Sequence, residues 1–60
     1  MKLADLADRD VCSVEEAGAV LNISRGLAYE MARSGQLPVL RLGKRIVVPV
    51  ARLRALLEDA

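Results

Sequence analysis

Two short amphipathic patterns, separated by only the tripeptide Asn22-Ile23-Ser24, constrain the fold of this chain more than any other feature. Ser13 and Glu16 have the spacing of a capping box, in which each side chain accepts a hydrogen bond from the other residue's backbone N–H. Apolar residues then recur at helical spacing as far as Leu21. Asn22 readily adopts the left-handed conformation that ends helices. The sequence therefore predicts a first helix over residues 14–21.

A second helix follows almost immediately. Ser24 is a good N-cap, and Gly35 is a good C-terminal stop. Helical periodicity predicts one inward face and one outward face. The inward face comprises Leu27, Ala28, Met31 and Ala32, with Ile23 packing at the entry. The outward face comprises Arg25, Gly26, Tyr29, Glu30 and Arg33.

The segment from 39 to 48 predicts a β-hairpin. Pro38 lacks a backbone N–H, so strand pairing is expected to begin after it. A two-residue turn at Gly43-Lys44 suits a type II′ turn, whereas a three-residue loop, Gly43-Lys44-Arg45, keeps the apolar residues on one face. We favour the longer loop for that reason. Either choice places Lys44 and Arg45 at the tip, and the longer loop gives the pairs Leu42–Ile46 and Leu40–Val48.

The C-terminal segment has a clear helical pattern, whereas the N-terminal segment is ambiguous. Beyond Pro49, an apolar stripe predicts a closing helix over residues 50–58 that covers the core. The stripe comprises Val50, Leu53, Leu56 and Leu57. In the N-terminal segment, residues 1–12, Leu3 and Leu6 have helical spacing, but a frayed terminus is an equal alternative. Sixty residues make a single domain with a thin core.

Charge is partitioned along the chain, although the formal net charge is only +1. Residues 1–24 carry two basic and five acidic side chains, so their net charge is −3. Residues 25–54 carry seven basic side chains and one acidic side chain, so their net charge is +6. Half of the chain is therefore a cationic module suited to a polyanionic partner.

Composition argues against enzymes and metal proteins. The chain has no histidine and one cysteine, Cys12, so neither a structural zinc site nor an intramolecular disulfide is expected. Asp5, Asp8 and Asp10 lack a calcium-loop pattern and predict a solvated acidic surface. No catalytic residue, cofactor or metal is therefore expected. A single cysteine fits a protein in the reducing cytosol. Neither a signal peptide nor a membrane span is predicted, which agrees with that location.

Several motifs, taken together, resemble a known family. They are 13–17 (SVEEA), 21–25 (LNISR), Tyr29, 33–38 (RSGQLP) and 41–49 (RLGKRIVVP). They look like the MerR-related winged helix-turn-helix of phage excisionases. The resemblance implies a mainly α fold with a small β-hairpin: a helix-turn-helix over 13–34, a wing over 39–48 and a closing C-terminal helix. Small transcription regulators and terminase subunits use similar modules.

The resemblance also implies which residues contact double-stranded DNA. The recognition helix would contribute Ser24, Arg25, Gly26, Tyr29, Glu30 and Arg33, and the wing Arg41, Gly43, Lys44 and Arg45. Arg25 is the strongest candidate for a base contact, because the first residues of a recognition helix reach base edges.

Alternatives remain for several of these residues. Ser24 is first a helix cap, and Gly26 either permits close approach to DNA or is simply a weak helix position. Tyr29 either holds a phosphate or fills the core. Glu30 stands where the family often has a basic residue. It either orients Arg25 or Arg33, or accepts a hydrogen bond from a cytosine amino group. Lys44 and Arg45 contact DNA or form a solvated turn.

Val50 also departs from the family, since a basic residue often follows the proline. Arg52 and Arg54 either compensate for this lost charge or are solvated.

The functional expectation is a non-enzymatic architectural protein that binds repeated DNA sites cooperatively and bends them, so that integrase is directed toward excision. The opposed charges indicate head-to-tail self-association. MerR-type regulators generally add an effector-binding region, so no small-molecule effector is expected for a chain ending at Ala60. A small transcription regulator and a winged domain that binds only proteins are the alternatives.

Overall fold

The computed structural model describes residues 2–59, in which helices pack against one face of a three-stranded antiparallel sheet. Strand order is β1-β3-β2. The elements in chain order are a 3₁₀ turn at Leu3–Leu6, β1 at Val11–Ser13, α1 at Val14–Leu21, α2 at Arg25–Ser34, β2 at Leu40–Leu42, β3 at Arg45–Pro49 and α3 at Val50–Asp59. The winged helix-turn-helix class predicted from the sequence is confirmed, with one strand more than expected.

The ends of α1 and α2 follow from their capping residues. Ser13 Oγ accepts a hydrogen bond from the Glu16 backbone N–H at 3.0 Å, and a Glu16 carboxylate oxygen accepts one from the Ser13 N–H at 2.9 Å. Ser24 Oγ accepts from the Leu27 N–H at 3.2 Å. Asn22 and Gly35 end the two helices in the left-handed conformation, with φ of 59° and 88°. These capping residues set the bounds of both helices.

Close packing of α1 on α2 depends on a glycine. A Cβ added at Gly18 would lie 2.9 Å from the Cβ of Ala28, closer than such atoms pack. Gly18 and Ala28 are both buried, as are Ala17 and Ala32 nearby. Small residues on both helices therefore allow the two backbones to approach, which fixes how α2 is presented on the surface.

The strand β1 is not predicted from the sequence, which indicates either a helical or a frayed segment over residues 1–12. Val11, Cys12 and Ser13 pair with Pro49, Val48 and Val47 of β3. Three residues are too few to show a reliable alternation of apolar and polar side chains, and their partner lies far away in the sequence. The preceding 3₁₀ turn inserts Leu6 into the core, so the segment described from residue 2 is packed; Met1 lies outside the described residues.

The predicted hairpin loop is wrong. Leu42 pairs with Arg45, and Leu40 pairs with Val47, so the turn is the two-residue Gly43-Lys44. Gly43 has φ of 64°, which suits the first central position of a type II′ turn. The expected pairs Leu42–Ile46 and Leu40–Val48 do not form. Turn geometry, rather than the grouping of apolar residues, sets this register.

Leu27 is a second correction. It was expected on the inward face of α2, but it is 44% exposed, whereas Ala28 and Ala32 are buried. The close approach of α1 leaves room only for small side chains at the centre of the α2 contact. The buried core is aliphatic, with one thiol: Leu6, Cys12, Val14, Ala17, Ala28, Ala32, Leu37, Val48, Val50 and Leu53.

Two contacts attach the ends of the chain to this core. The Val50 N–H, at the start of α3, donates to the Asp10 carbonyl oxygen at 2.9 Å. The Arg9 guanidinium forms a two-pronged ion pair with the Glu16 carboxylate, which also holds the capping box. The hydrogen bonds from Arg9 and from the Ser13 backbone lower the pKa of Glu16 to about 2.

We expect Gly18→Ala to destabilise the fold. Overpacking of this kind costs about 1–3 kcal/mol, which exceeds the roughly 0.5–1 kcal/mol that alanine gains over glycine within a helix. Gly26→Ala is the matched control, because nothing lies within 4 Å of a Cβ at that position. Urea unfolding should show a lower midpoint for Gly18→Ala and a slightly higher one for Gly26→Ala. Equal stability of the two variants would contradict the close-packing account.

The Arg9–Glu16 contact should make stability depend on acid. Because folding lowers the pKa of Glu16 from 4.5 to about 2, its contribution is present above pH 4.5 and is lost as pH falls toward 2. Glu16→Gln keeps a capping residue but removes the charge. The melting temperature of this variant should be lower at neutral pH and should fall less between pH 4.5 and 2. Glu58→Gln, at the end of α3, should keep the native acid profile; an unchanged profile for Glu16→Gln would contradict this role.

Candidate nucleic-acid interface

The solvent-facing side of α2 carries the residues predicted for DNA recognition. Arg25, Gly26, Tyr29, Glu30 and Arg33 are all exposed in the structure. Ser24 caps the helix through Leu27 N–H, which leaves its hydroxyl engaged with the backbone. The first turn of α2 contains no acidic residue. The positive end of the helix dipole at Arg25 is therefore not offset by an acidic residue of α2 itself.

Arg25 has two intramolecular neighbours. Its Nη2 lies 3.6 Å from Oε1 of Glu15 on α1, and its Cζ lies 5.8 Å from the centre of the Tyr29 ring. The Arg25 and Glu15 side chains are 72% and 53% exposed, so the ion pair contributes about 0–1 kcal/mol to stability. The contact therefore has little effect on the fold, but it holds the guanidinium at the start of α2. Glu15 was not among the predicted site residues, because no local pattern joins positions 15 and 25.

Glu30 does not orient either arginine in the structure. Within residues 2–59, the ion pairs are Arg9–Glu16 and Arg25–Glu15, so the carboxylate partner expected for Arg25 at Glu30 is instead Glu15. Glu30 lies at the edge of a shallow depression of about 430 Å³ on α2. The other lining residues are Leu27, Met31, Arg33, Ser34 and Gln36. Because Leu27 is exposed here, α2 offers an apolar contact that periodicity had assigned to the core.

The wing, defined here as residues 39–48, carries its two arginines on opposite faces of the sheet. Side chains of directly paired residues lie on the same face, and successive residues alternate. Arg41 pairs with Ile46 and therefore shares the face of buried Val48, which packs against the helices. Arg45 pairs with Leu42 and lies on the outer face. Only Gly43 and Lys44 form the tip, so the expectation that Arg45 also occupies the tip is wrong.

The site residues fall into two groups. The structure brings Arg25 and Tyr29 together at the start of α2, beside Glu15. Arg41, Lys44 and Arg45 are grouped on the hairpin and are all exposed. No side-chain hydrogen bond or ion pair joins the wing to α2 within residues 2–59. The two groups are thus positioned independently, one by helix packing and the other by strand pairing.

A family model described as a helix-turn-helix domain matches residues 11–60. The chain belongs to this helix-turn-helix family. The match includes β1, which precedes the two central helices, and it extends through the wing and α3. The family includes excisionase-like DNA-binding domains. No curated protein and no solved structure matches the chain.

From the start of α2 to Arg54, the exposed charged side chains are basic, with Glu30 as the exception. Arg25, Arg33, Arg41, Lys44, Arg45, Arg52 and Arg54 are all exposed. Among the residues that the structure describes, only Arg25 of this set pairs with a carboxylate. The aspartates at positions 5, 8 and 10 are also exposed, and within 2–59 no cluster of three metal-ligating side chains occurs. None of the helices described is long and apolar enough to cross a membrane.

Proposed function

We propose that this helix-turn-helix domain binds double-stranded DNA as an architectural protein of the excisionase type. In this proposal α2 enters the major groove, and the wing lies along the backbone. The observation that carries the proposal is the group of exposed cations on α2 and the wing, nearly all without an internal counter-ion. An uncompensated cationic surface is costly by self-repulsion unless a polyanion covers it.

Each part of the proposed interface has a distinct chemical role. Arg25, at the first turn of α2, is suited to a bidentate contact with a guanine edge. Tyr29 is suited to a phosphate contact through its hydroxyl, and Gly26 leaves the helix backbone accessible. Leu27, exposed on the same helix, is suited to a thymine methyl group. Lys44 and Arg45 on the wing, with Arg41 on its helix-side face, are suited to phosphates.

A single copy of a domain this small makes few contacts. One module buries about 600–1,000 Å² of protein surface and neutralises on the order of four to six phosphates. Bending a site by about 40–90° costs on the order of 1–6 kcal/mol, which such a surface can hardly supply alone. We therefore propose that several copies act side by side on repeated sites, with each neighbour stabilising the bent DNA.

The outer face of the sheet supports self-association. It is apolar and exposed at Val11, Leu40 and Leu42, because the hairpin register directs both leucines away from the core. Exposed aspartates at positions 5, 8 and 10 precede this face at β1. The acidic segment of one copy therefore complements the basic module, residues 25–54, of the next copy in a head-to-tail contact.

The area available implies that this contact depends on DNA. A stable interface needs about 800 Å² from each partner, which is roughly a fifth of the 4276 Å² surface of the chain. A sheet of three strands, the longest of five residues, measures only about 17 Å by about 14 Å, so its outer face is smaller than that. Copies should therefore associate weakly in solution and strongly when duplex DNA aligns them.

The proposed partners are therefore duplex DNA, further copies of this chain and an integrase, in the cytoplasm of a bacterial host. An excision reaction in vitro with the cognate integrase separates the proposed role from that of a transcription regulator. The native chain should stimulate excision, whereas a regulator should bind DNA without doing so. A winged domain that binds only proteins should give no duplex binding at all.

Binding to duplex DNA should be strongly salt-dependent. With four to six phosphates neutralised, the logarithm of the binding constant should fall with log salt at a slope of about −4 to −5. Arg45→Ala should weaken binding and reduce that slope by about 1, because it removes a phosphate contact. Arg25→Ala should weaken binding with a smaller change in slope, because its proposed partner is an uncharged base edge. Fluorescence anisotropy of a labelled duplex, titrated between about 50 and 200 mM salt, measures both quantities.

Arg54→Ala is the matched control for this titration. It removes the same charge from an exposed position on α3, outside the proposed interface. We expect a smaller loss for this variant than for Arg25→Ala or Arg45→Ala. A slope near zero for the native chain, or unchanged binding by both interface variants, would reject the groove-reading model.

Cooperative assembly should depend on the outer sheet face. Sedimentation velocity on duplexes with one site or several repeated sites should show native copies loading the repeated duplex cooperatively. Leu42→Ser should abolish that cooperativity with little effect on single-site binding, because Leu42 is 55% exposed on the outer face. Leu57→Ser, which makes the same chemical change at a leucine 37% exposed on α3, should behave like the native chain. Independent binding of native copies would overturn the assembly model.

A further inference from the structure

Arg25 occupies a position that local helix electrostatics disfavours. It is the first residue of α2, where the positive end of the helix dipole repels a cation, and the first turn of α2 supplies no acidic residue to offset it. The compensating carboxylate comes instead from the first turn of α1, where Glu15 is itself favourably placed. Glu15 Oε1 lies 3.6 Å from Arg25 Nη2.

The Arg25 guanidinium thus lies between two groups on different helices. Glu15 approaches it from α1, and the Tyr29 ring lies 5.8 Å away, one turn further along α2. Both carboxylate and guanidinium remain more than half exposed, so DNA can reach the arginine without displacing core residues. At 3.6 Å the contact with Glu15 is an ion pair rather than a hydrogen bond, so the N–H donors of the guanidinium fork remain available to a second acceptor.

The nature of that second acceptor follows from charge. A phosphate bound to Arg25 would lie within a few ångströms of the Glu15 carboxylate, and the two like charges would repel. A guanine edge offers the uncharged acceptors O6 and N7, which arginine can bind without this repulsion. A carboxylate beside Arg25 therefore weakens contacts of this arginine with DNA phosphates more than its contacts with base edges.

We propose that Glu15 is a positioning residue that determines specificity: it holds Arg25 for base recognition and disfavours its use as a phosphate ligand. This inference rests on the proposed DNA-binding function and deepens it. Glu15 lowers the affinity for random DNA, and that loss is what makes the recognition helix selective. Its role is separate from the fold, since the Glu15 side chain is exposed.

The test compares Glu15→Gln with the native chain on two probes. One probe is a random-sequence duplex pool, and the other is a set of duplexes that the native chain enriches from that pool. Glu15→Gln should bind the random pool more tightly, with a salt slope steeper by about 1. One added phosphate contact corresponds to an extra loss of about threefold between 50 and 200 mM salt. The ratio of enriched to random affinity should fall, and this fall should be about threefold larger at 50 mM than at 200 mM salt.

Three further variants separate positioning from general charge. Glu58→Gln removes the same charge from the end of α3 and should leave the ratio of affinities unchanged. Glu15→Asp retains the carboxylate and should restore most of the native ratio. In an Arg25→Ala background, Glu15→Gln should no longer change the ratio, because the residue it positions is absent.

Two results would count against different claims. If Glu15→Gln and Glu58→Gln change both probes equally, Glu15 acts only through net charge and the positioning role is overturned, while DNA binding stands. If the native chain binds neither probe, the proposed function itself fails. Circular dichroism melting of each variant confirms that the comparisons are made on folded protein.

Discussion

The contact between Gly18 and Ala28 is the constraint on which the rest of the structure depends. Because no larger side chain fits between α1 and α2, the two helices approach closely, and the arrangement of α2 is set by α1 rather than by DNA. The same approach brings Glu15, in the first turn of α1, next to Arg25. It also leaves Leu27 at the edge of the helix contact, where it is exposed. Packing at one glycine therefore decides which chemical groups α2, the proposed recognition helix, presents.

Much of the helix-turn-helix could be predicted from the sequence, because its determinants are local. Ser13, Glu16, Ser24, Asn22 and Gly35 each satisfy or terminate backbone hydrogen bonds within a few residues of themselves. The bounds of α1 and α2 follow from these five residues. The prediction of the outward face of α2 was also largely correct, because polar residues that recur at helical spacing are rarely buried and so face solvent.

Features that depend on distant partners were not predictable in the same way. β1 exists because Val11–Ser13 meets β3, which lies more than thirty residues later in the chain. The hairpin register was mispredicted because grouping apolar side chains was given more weight than the preference of Gly43 for a two-residue turn. The Glu15–Arg25 pair joins two helices, so no spacing rule reveals it. β1 and the Glu15–Arg25 pair are tertiary contacts, whereas the hairpin register follows a local turn preference that was given too little weight.

The corrected register changes what the wing can do. With Gly43-Lys44 as the turn, Leu40 and Leu42 face outward, and Arg41 faces the helix side. The sheet thus gives up apolar burial that the longer loop would have supplied, in a core that already contains no aromatic residue. A thin core and exposed leucines both lower the stability of the isolated chain, and any partner that binds only the folded state offsets this loss by mass action. The register of the hairpin therefore bears on stability as well as on which side chains the wing presents.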